Sequence, residues 1–386
     1  MTMFDRTADA ARPEAARHMS AMGGRVRVAR ESAKITQADL CEAVGFADRQ
    51  TLSAIENGER RIQAAELVRI SQAVNRPIEW FIDPFVVEGD ARFSWRVAKS
   101  LPDEALTDFE SRIGRLVGLL RHLKMALQGN SSVFSPVLRV SRQSTFEEAW
   151  VWGELVAQHL DLGIVPAVKL VEAIETRLDI PVLYVDAHVE SEARGISGAM
   201  CRLPDLQVIV INRHESPARR NFDVAHELFH ALTWDALPPQ HREDPDNVAK
   251  GTLIKRIEHL ADNFAAALLM PRASLDKLIP EEKLGDAEYL VDVARELHVS
   301  TGALAFRLLN LKLIGPGTCE AVRKLQVAKE QSPAPELYSE SFVNLLHEGI
   351  LRGHVSARKG ASALAMTLEQ LSGLMSKYGK SAPFVI

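Results

Sequence analysis

The chain has 386 residues, 46% of them hydrophobic and 25% charged, with a formal net charge of −5. The length allows two or three domains, and the composition excludes a disordered or fibrous chain. The acidic balance excludes a globally basic nucleic-acid binder but leaves room for a local basic face.

The first twenty-one residues are read as a tail without the apolar core of a signal peptide. From Met22 to Phe85 short helical patterns alternate with polar punctuation. Thr36 caps a helix opening at Gln37, and Gly45 ends it. Asp48 caps the next helix, which Gly58 stops. Leu40, Val44, Leu52 and Ile55 are expected to pack together, buttressed by helices over Ile62–Val74 and Pro77–Ile82. This is a helix-turn-helix pattern. The start of its second helix would enter a major groove, exposing Arg49, Gln50 and Ser53 to base edges, with Gln37 placed for a phosphate. Arg25, Arg27, Arg30, Lys34, Arg60 and Arg61 could add non-specific attraction, against Asp39, Glu42, Asp48, Glu56 and Glu59. The plainer reading is a helical interaction module. Such readers commonly bind paired half-sites, so a homodimer on double-stranded operator DNA is expected.

Residues 86–140 read as a connection: a mixed stretch from Val86 to Pro102 containing Phe93 and Trp95, then an amphipathic helix from Leu106 to Leu127. That helix carries Ile113, Leu116, Leu119, Leu120 and Leu123 on one side. Gln128 to Ser132 is a polar break. Helices follow over Phe146–Leu160 and Ala167–Leu178, and strands over Ile180–Val185, Gly195–Met200 and Leu206–Ile211. Ser216 and Pro217 start a helix. Further helices span Thr252–Met270, Ala287–Leu297 and Thr301–Leu311. Ser332 to Pro335 is a linker signal, and residues 333–386 form a small helical unit. No internal repeat is visible. Cys41, Cys201 and Cys319 are scattered and include no C-x-x-C pair, which argues against a disulfide framework. No apolar run is long enough to span a bilayer, so a cytoplasmic protein is expected.

The chemistry lies in Ala225-His226-Glu227-Leu228-Phe229-His230. Residues four apart share a helix face, so both imidazoles can reach one metal ion while Glu227 acts on water: the H-E-x-x-H pattern. A hydrolytic Zn2+ site commonly has three protein ligands. Glu258, on the next helix, can complete the set, and Asp262, four residues on, can hold the other nitrogen of a ligating histidine. His259 is the rival ligand but points about 100° away from Glu258 around the helix. Glu227 is the expected general base. A second oxyanion donor is not identified; His214, His241, Tyr184 and Arg220 are candidates. A chance motif and a solvated acidic face are the bland alternatives.

Thr36-Gln37-x-x-Leu40 and Thr51-Leu52-Ser53-x-Ile55-Glu56-Asn57-Gly58 make residues 22–83 resemble the Xre helix-turn-helix family, with a slightly longer inter-helix connection. Residues 141–312 resemble the ImmA/IrrE metallopeptidase family. The match runs through Ile196-Ser197-Gly198, Ile211-Asn212 and Phe222 to His230, then Glu258-x-x-Ala261-x-x-Phe264-Ala265-x-x-Leu268-Leu269-Met270-Pro271, Val299-Ser300 and Arg307-Leu308. Phe229 departs from it, where glycine is frequent. The resemblance implies metal ligands at His226, His230 and Glu258 with Glu227 as base. It also implies cleavage of a helix-turn-helix repressor, an antitoxin or the chain itself, in a toxin–antitoxin or phage-defence setting. The alternative it leaves is a non-proteolytic DNA-binding antitoxin or repressor, with a toxin as partner, that uses the fold for sensing or binding. The expected fold class is α+β, mostly helical: a tail (1–21), an all-α helix-turn-helix domain (22–85), a connection (86–140), a zincin-like metallopeptidase domain with a small sheet (141–325) and a C-terminal helical module (333–386). Gly353-x-x-Ser356 and Leu371 make that last module similar to one at the end of like fusions.

Overall fold

The computed structural model describes residues 14–87, 89–98, 101–129, 138–187, 195–243, 253–325 and 333–385. Most of the expected tail, the break at Asn130–Ser132, and Thr252, Ser332 and Ile386 lie outside them.

The first five helices are α1 (Glu14–Ser32), α2 (Gln37–Val44), α3 (Arg49–Glu56), α4 (Ala64–Ala73) and α5 (Ile78–Ile82). The Thr36 side chain caps α2 in a reciprocal pair with Asp39, and Asp48 caps α3 through the amide of Thr51. Gly45 takes the left-handed conformation (φ 74°) that ends α2, where a side chain would be strained. Leu40, Val44, Leu52 and Ile55 share one buried core with Val26, Ile70 and Phe81.

The chain continues through β1 (Arg92–Val97), α6 (Asp103–Gln128), α7 (Phe146–His159), α8 (Pro166–Arg177), β2 (Val182–Val185), β3 (Ile196–Arg202) and β4 (Gln207–Asn212). It then forms α9 (Pro217–Thr233), β5 (Arg242–Glu243), α10 (Leu253–Leu269), α11 (Arg272–Leu278), α12 (Ala287–Glu296), α13 (Thr301–Asn310) and α14 (Pro316–Lys324). The last helices are α15 (Glu340–Leu351), α16 (Ala357–Ala363) and α17 (Leu368–Lys377). Among the described residues the strands make one sheet in the order β2-β4-β3-β1-β5. β3 is antiparallel to both β4 and β1, whereas β2 runs parallel to β4.

The sheet is covered on both faces, so its strands are buried almost throughout rather than half-exposed. Alternate residues serve different cores. Ile209, Ile211 and Met200 face the core built by α7–α10 and α12–α14. Val208, Val210, Ala199, Phe93, Trp95 and Val97 face a second core, filled by α6 and by α15–α17. The stretch read from sequence as a connection therefore supplies a strand inside the sheet and the long helix covering one face. The C-terminal helices complete that layer.

The segment after α5 docks on α6. Phe85 crosses Gly118 so closely that a Cβ there would lie 2.0 Å from the Phe85 carbonyl oxygen. Arg121 on α6 pairs with Asp90 at 3.1 Å and Asp205 at 2.8 Å. Lys359 on α16 sits 3.5 Å from Asp83.

One helix-ending turn recurs along the chain. The turn Leu297-His298-Val299-Ser300 between α12 and α13 matches Leu364-Ala365-Met366-Thr367 between α16 and α17. His298 and Ala365 both have φ 54°. Val299 bonds back to Ala294, and Met366 to Ala361. Ser300 and Thr367 cap the following helices. Only the left-handed residue and the cap are fixed by the geometry, so side-chain identity hides the correspondence.

Candidate metal centre

Ser216 occupies the N-cap of α9 and Pro217 its first turn, as the sequence implies, although the serine side chain makes no cap bond. From Asp223 to Thr233 every residue of α9 is buried. Helical spacing brings Nε2 of His226 to 3.1 Å from Nε2 of His230. α10 packs alongside and delivers Glu258. Its Oε2 is 3.3 Å from His226 Nε2, and its Oε1 is 3.6 Å from His230 Nε2. A tetrahedral zinc site with bonds of about 2.0–2.1 Å has ligand–ligand edges of about 3.3–3.4 Å. The three observed separations bracket that edge, so the donor set fits a zinc-sized cation. His259 is exposed and packs edge-on against Phe146 at 5.9 Å between ring centroids, away from this cluster.

Asp262 Oδ1 lies 3.0 Å from Nδ1 of His226, which leaves Nε2 for the shared centre. Arg96 of β1 reaches in from the sheet. Its Nη1 is 3.5 Å from Asp223 Oδ1 and its Nη2 3.7 Å from Asp262 Oδ1. Arg219 Nε bonds Asp223 from one turn earlier at 3.0 Å. Both carboxylate oxygens of Glu227 are buried with no hydrogen-bond partner among the described residues. Orphaned buried carboxylate oxygens are expensive and mark a group that meets something other than protein.

The electrostatics follow from this packing. Burial pushes the Glu227 carboxyl up to about 8, opposed by the charges of His226 and Arg96. Burial also holds His230 down at about 4. His226 is carried the other way, to about 10, because hydrogen bonds with Asp262 and Glu258 outweigh its burial and the Arg96 charge. Despite burial, hydrogen bonding with His226 and the nearby imidazole charges hold Glu258 well below the usual carboxylate range. Four carboxylates (Asp223, Glu227, Glu258, Asp262) meet two guanidinium groups (Arg96, Arg219) here.

Three of the four oxyanion candidates have hydrogen-bond partners of their own. His214 bonds Asp186 at 2.6 Å and His241 bonds Glu110 at 2.6 Å. Arg220 donates to the carbonyls of Arg213 and Glu215. Tyr184 is half-buried against the histidine-bearing core. Phe229 is fully buried with its ring against Phe264 at 5.5 Å, so its bulk lies within the core. Sequence reasoning missed Arg96 and Asp223. The apolar alternation Phe93, Trp95, Val97 was the available signal: it marks a strand whose other face carries Ser94 and Arg96.

In the N-terminal domain, Arg49 and Gln50 are exposed at the start of α3 and Ser53 is half-buried one turn later. Gln37 links two neighbours: its Oε1 accepts from Arg49 Nε at 3.0 Å, and its Nε2 donates to Glu56 Oε2 at 2.8 Å. Two arginines expected to attract DNA are instead structural. Arg25 is buried and donates to the carbonyls of Phe81 and Val86. Arg30 forms a buried pair with Glu56 at 2.6 Å.

Residues 26–81 match the family described as Helix-turn-helix, and residues 176–309 match the family described as IrrE N-terminal-like domain. The chain thus joins an Xre-type helix-turn-helix domain to an ImmA/IrrE-like metallopeptidase-type domain. Among characterised proteins it is similar to the radiation response metalloprotease IrrE of Deinococcus deserti, at 35% identity over 109 residues. That alignment covers 27% of this chain and 37% of the relative, so the chain spans little more than a third of that protein's length. Among the described residues no helix is long and apolar enough to cross a membrane.

Proposed function

We propose that this chain is a DNA-binding transcriptional regulator carrying a zinc-dependent endopeptidase, whose substrate is a repressor, an antitoxin or the chain itself. The observation that supports this most is the buried, unpartnered Glu227 beside the convergent His226, His230 and Glu258. His226, His230 and Glu258 would hold the ion, and Asp262 would keep His226 in the tautomer that presents Nε2. When bound, a divalent ion there supplies a Lewis acid that polarises a carbonyl and acidifies water. Glu227 accepts the proton of the attacking water on its carboxylate and delivers it to the leaving amide nitrogen. Burial of the cluster keeps bulk solvent from screening these charges.

The N-terminal domain directs this chemistry to regulation. Arg49, Gln50 and Ser53 would read an operator and Gln37 would hold Arg49 in place, with two copies on paired half-sites. The test is incubation of the zinc-loaded chain with candidate repressors or antitoxins encoded beside it, comparing wild type with Glu227→Gln. Cleavage by wild type and none by the variant, at equal zinc content, supports the reading. Equal cleavage by both would remove Glu227 from the mechanism. Repression or toxin neutralisation by both, with no cleavage by either, would favour the non-proteolytic reading.

A further inference from the structure

Arg96 stands on β1, outside both matched segments, yet its side chain is only 7% exposed and sits among the acidic groups of the metal centre. On the sheet it pairs with Gly198. A Cβ at Gly198 would lie 3.8 Å from Cγ of Glu227, so this register places β1 and β3 directly against the H-E-x-x-H helix. Nε and Nη1 of Arg96 are buried without a hydrogen-bond partner among the described residues. A guanidinium in such a place is costly to desolvate unless several charges face it. Here four carboxylates do, and the two nearest come from different helices: Asp223 of α9 and Asp262 of α10.

We propose that Arg96 is a positioning residue of the metal centre, its planar guanidinium spanning Asp223 and Asp262 so that Asp262 stays against Nδ1 of His226. The proposal rests on the metal-centre reading above. The fork matters as well as the charge. A lysine ammonium is a single compact donor and does not present two separate nitrogens to carboxylates on two helices. Arg96→Lys therefore keeps the positive charge near the site, holding its repulsion of a cation nearly constant, and removes the bridge.

The experiment is a double-mutant cycle on the full chain, reading zinc affinity by competition with a chromophoric chelator. Arg96→Lys is measured in the wild-type and Asp262→Asn backgrounds. Loss of a group that orients a ligating histidine typically lowers affinity about 10- to 100-fold. Arg96→Lys is expected to weaken zinc about tenfold in wild type and to have little further effect once Asp262 is changed. An unchanged affinity, or the same loss in both backgrounds, overturns the proposal, because Arg96 would then not act through Asp262. If the lysine form does not fold, the cycle is run with Arg96→Gln and judged only on the difference between the two backgrounds, since that variant also removes a charge. A wild-type chain that takes up no zinc would instead sink the metal-centre reading itself.

Discussion

Asp262 and His226 meet at 3.0 Å across the contact between α10 and α9, carboxylate to Nδ1. This joins the two halves of the candidate site, because Glu258 lies one turn before Asp262 on the same helix.

Changing Asp262 to Asn keeps the size of the side chain but removes its charge. Zinc affinity should fall about 10- to 100-fold, with the fold intact by circular dichroism. Chelator competition measures it, and an affinity within twofold of wild type would take Asp262 out of the site.

The pH dependence of the metal-free chain near neutrality follows from three groups. His226 rises from 6.5 to about 10 on folding and Glu227 from 4.5 to about 8. A raised folded value gives stability that is complete below the unfolded value and is lost as pH climbs through the folded one. The Glu227 contribution is therefore lost between about pH 4.5 and 8, and the His226 contribution between about pH 6.5 and 10. His230, lowered to about 4, works the other way, removing stability as pH drops from 6.5 towards 4. The metal-free Tm should fall on the alkaline side of pH 6.5. Zinc uptake at pH 7 should release protons, since a ligating imidazole must be neutral. Calorimetry in buffers of differing ionisation enthalpy reads that release; a buffer-independent heat would contradict it.

At the α6 groove, Gly118→Ala would push a methyl group into the Phe85 carbonyl. Backbone must move, at about 1–3 kcal/mol. Urea unfolding should show this loss, whereas Gly302→Ala, with nothing within 4 Å of its Cβ position, should not. Equal effects from the two would mean that the docking of the 83–91 segment is loose.

The two kinds of arginine in the N-terminal domain should separate cleanly. Arg49→Ala should weaken operator binding on the order of tenfold, at about 1–3 kcal/mol for a lost base contact, with Tm little changed. Arg30→Ala breaks a buried pair with Glu56 and should cost about 3–5 kcal/mol of stability. Parallel gel-shift and thermal-unfolding series decide it, and a stable Arg30→Ala domain with a reduced salt slope would reverse the assignment.

The site was legible wherever its spacing lies along one helix. His226 and His230, like Glu258 and Asp262, are each four apart, and a helix turns that spacing into proximity whatever the rest of the fold does. The helix-turn-helix was legible for the same local reason, through the caps Thr36 and Asp48 and the left-handed Gly45. What stayed hidden depends on distant pairing. β1 is six residues long; its apolar alternation marks a strand, but what its polar face meets is set by pairing with β3, roughly a hundred residues later. Arg96 enters the site through that pairing alone. Arg25 and Arg30 misled for a related reason: a cationic side chain reads as surface until its buried carboxylate or carbonyl partner is known.

The place of β1 between β3 and β5 bears on how such a protein can be taken apart. The recognisable domain starts at residue 176, but a fragment cut there would leave one side of β3 as a bare row of amide and carbonyl groups. Exposed edges of that kind recruit other strands and aggregate. The smallest piece able to stand alone must reach back into the chain that follows the DNA reader. Any rearrangement that swapped the reader for another would have to cut in the few residues between α5 and β1, where Phe85 and Val87 are already held against α6. Reader and peptidase-type domain are easy to tell apart by resemblance, yet they are hard to separate with scissors.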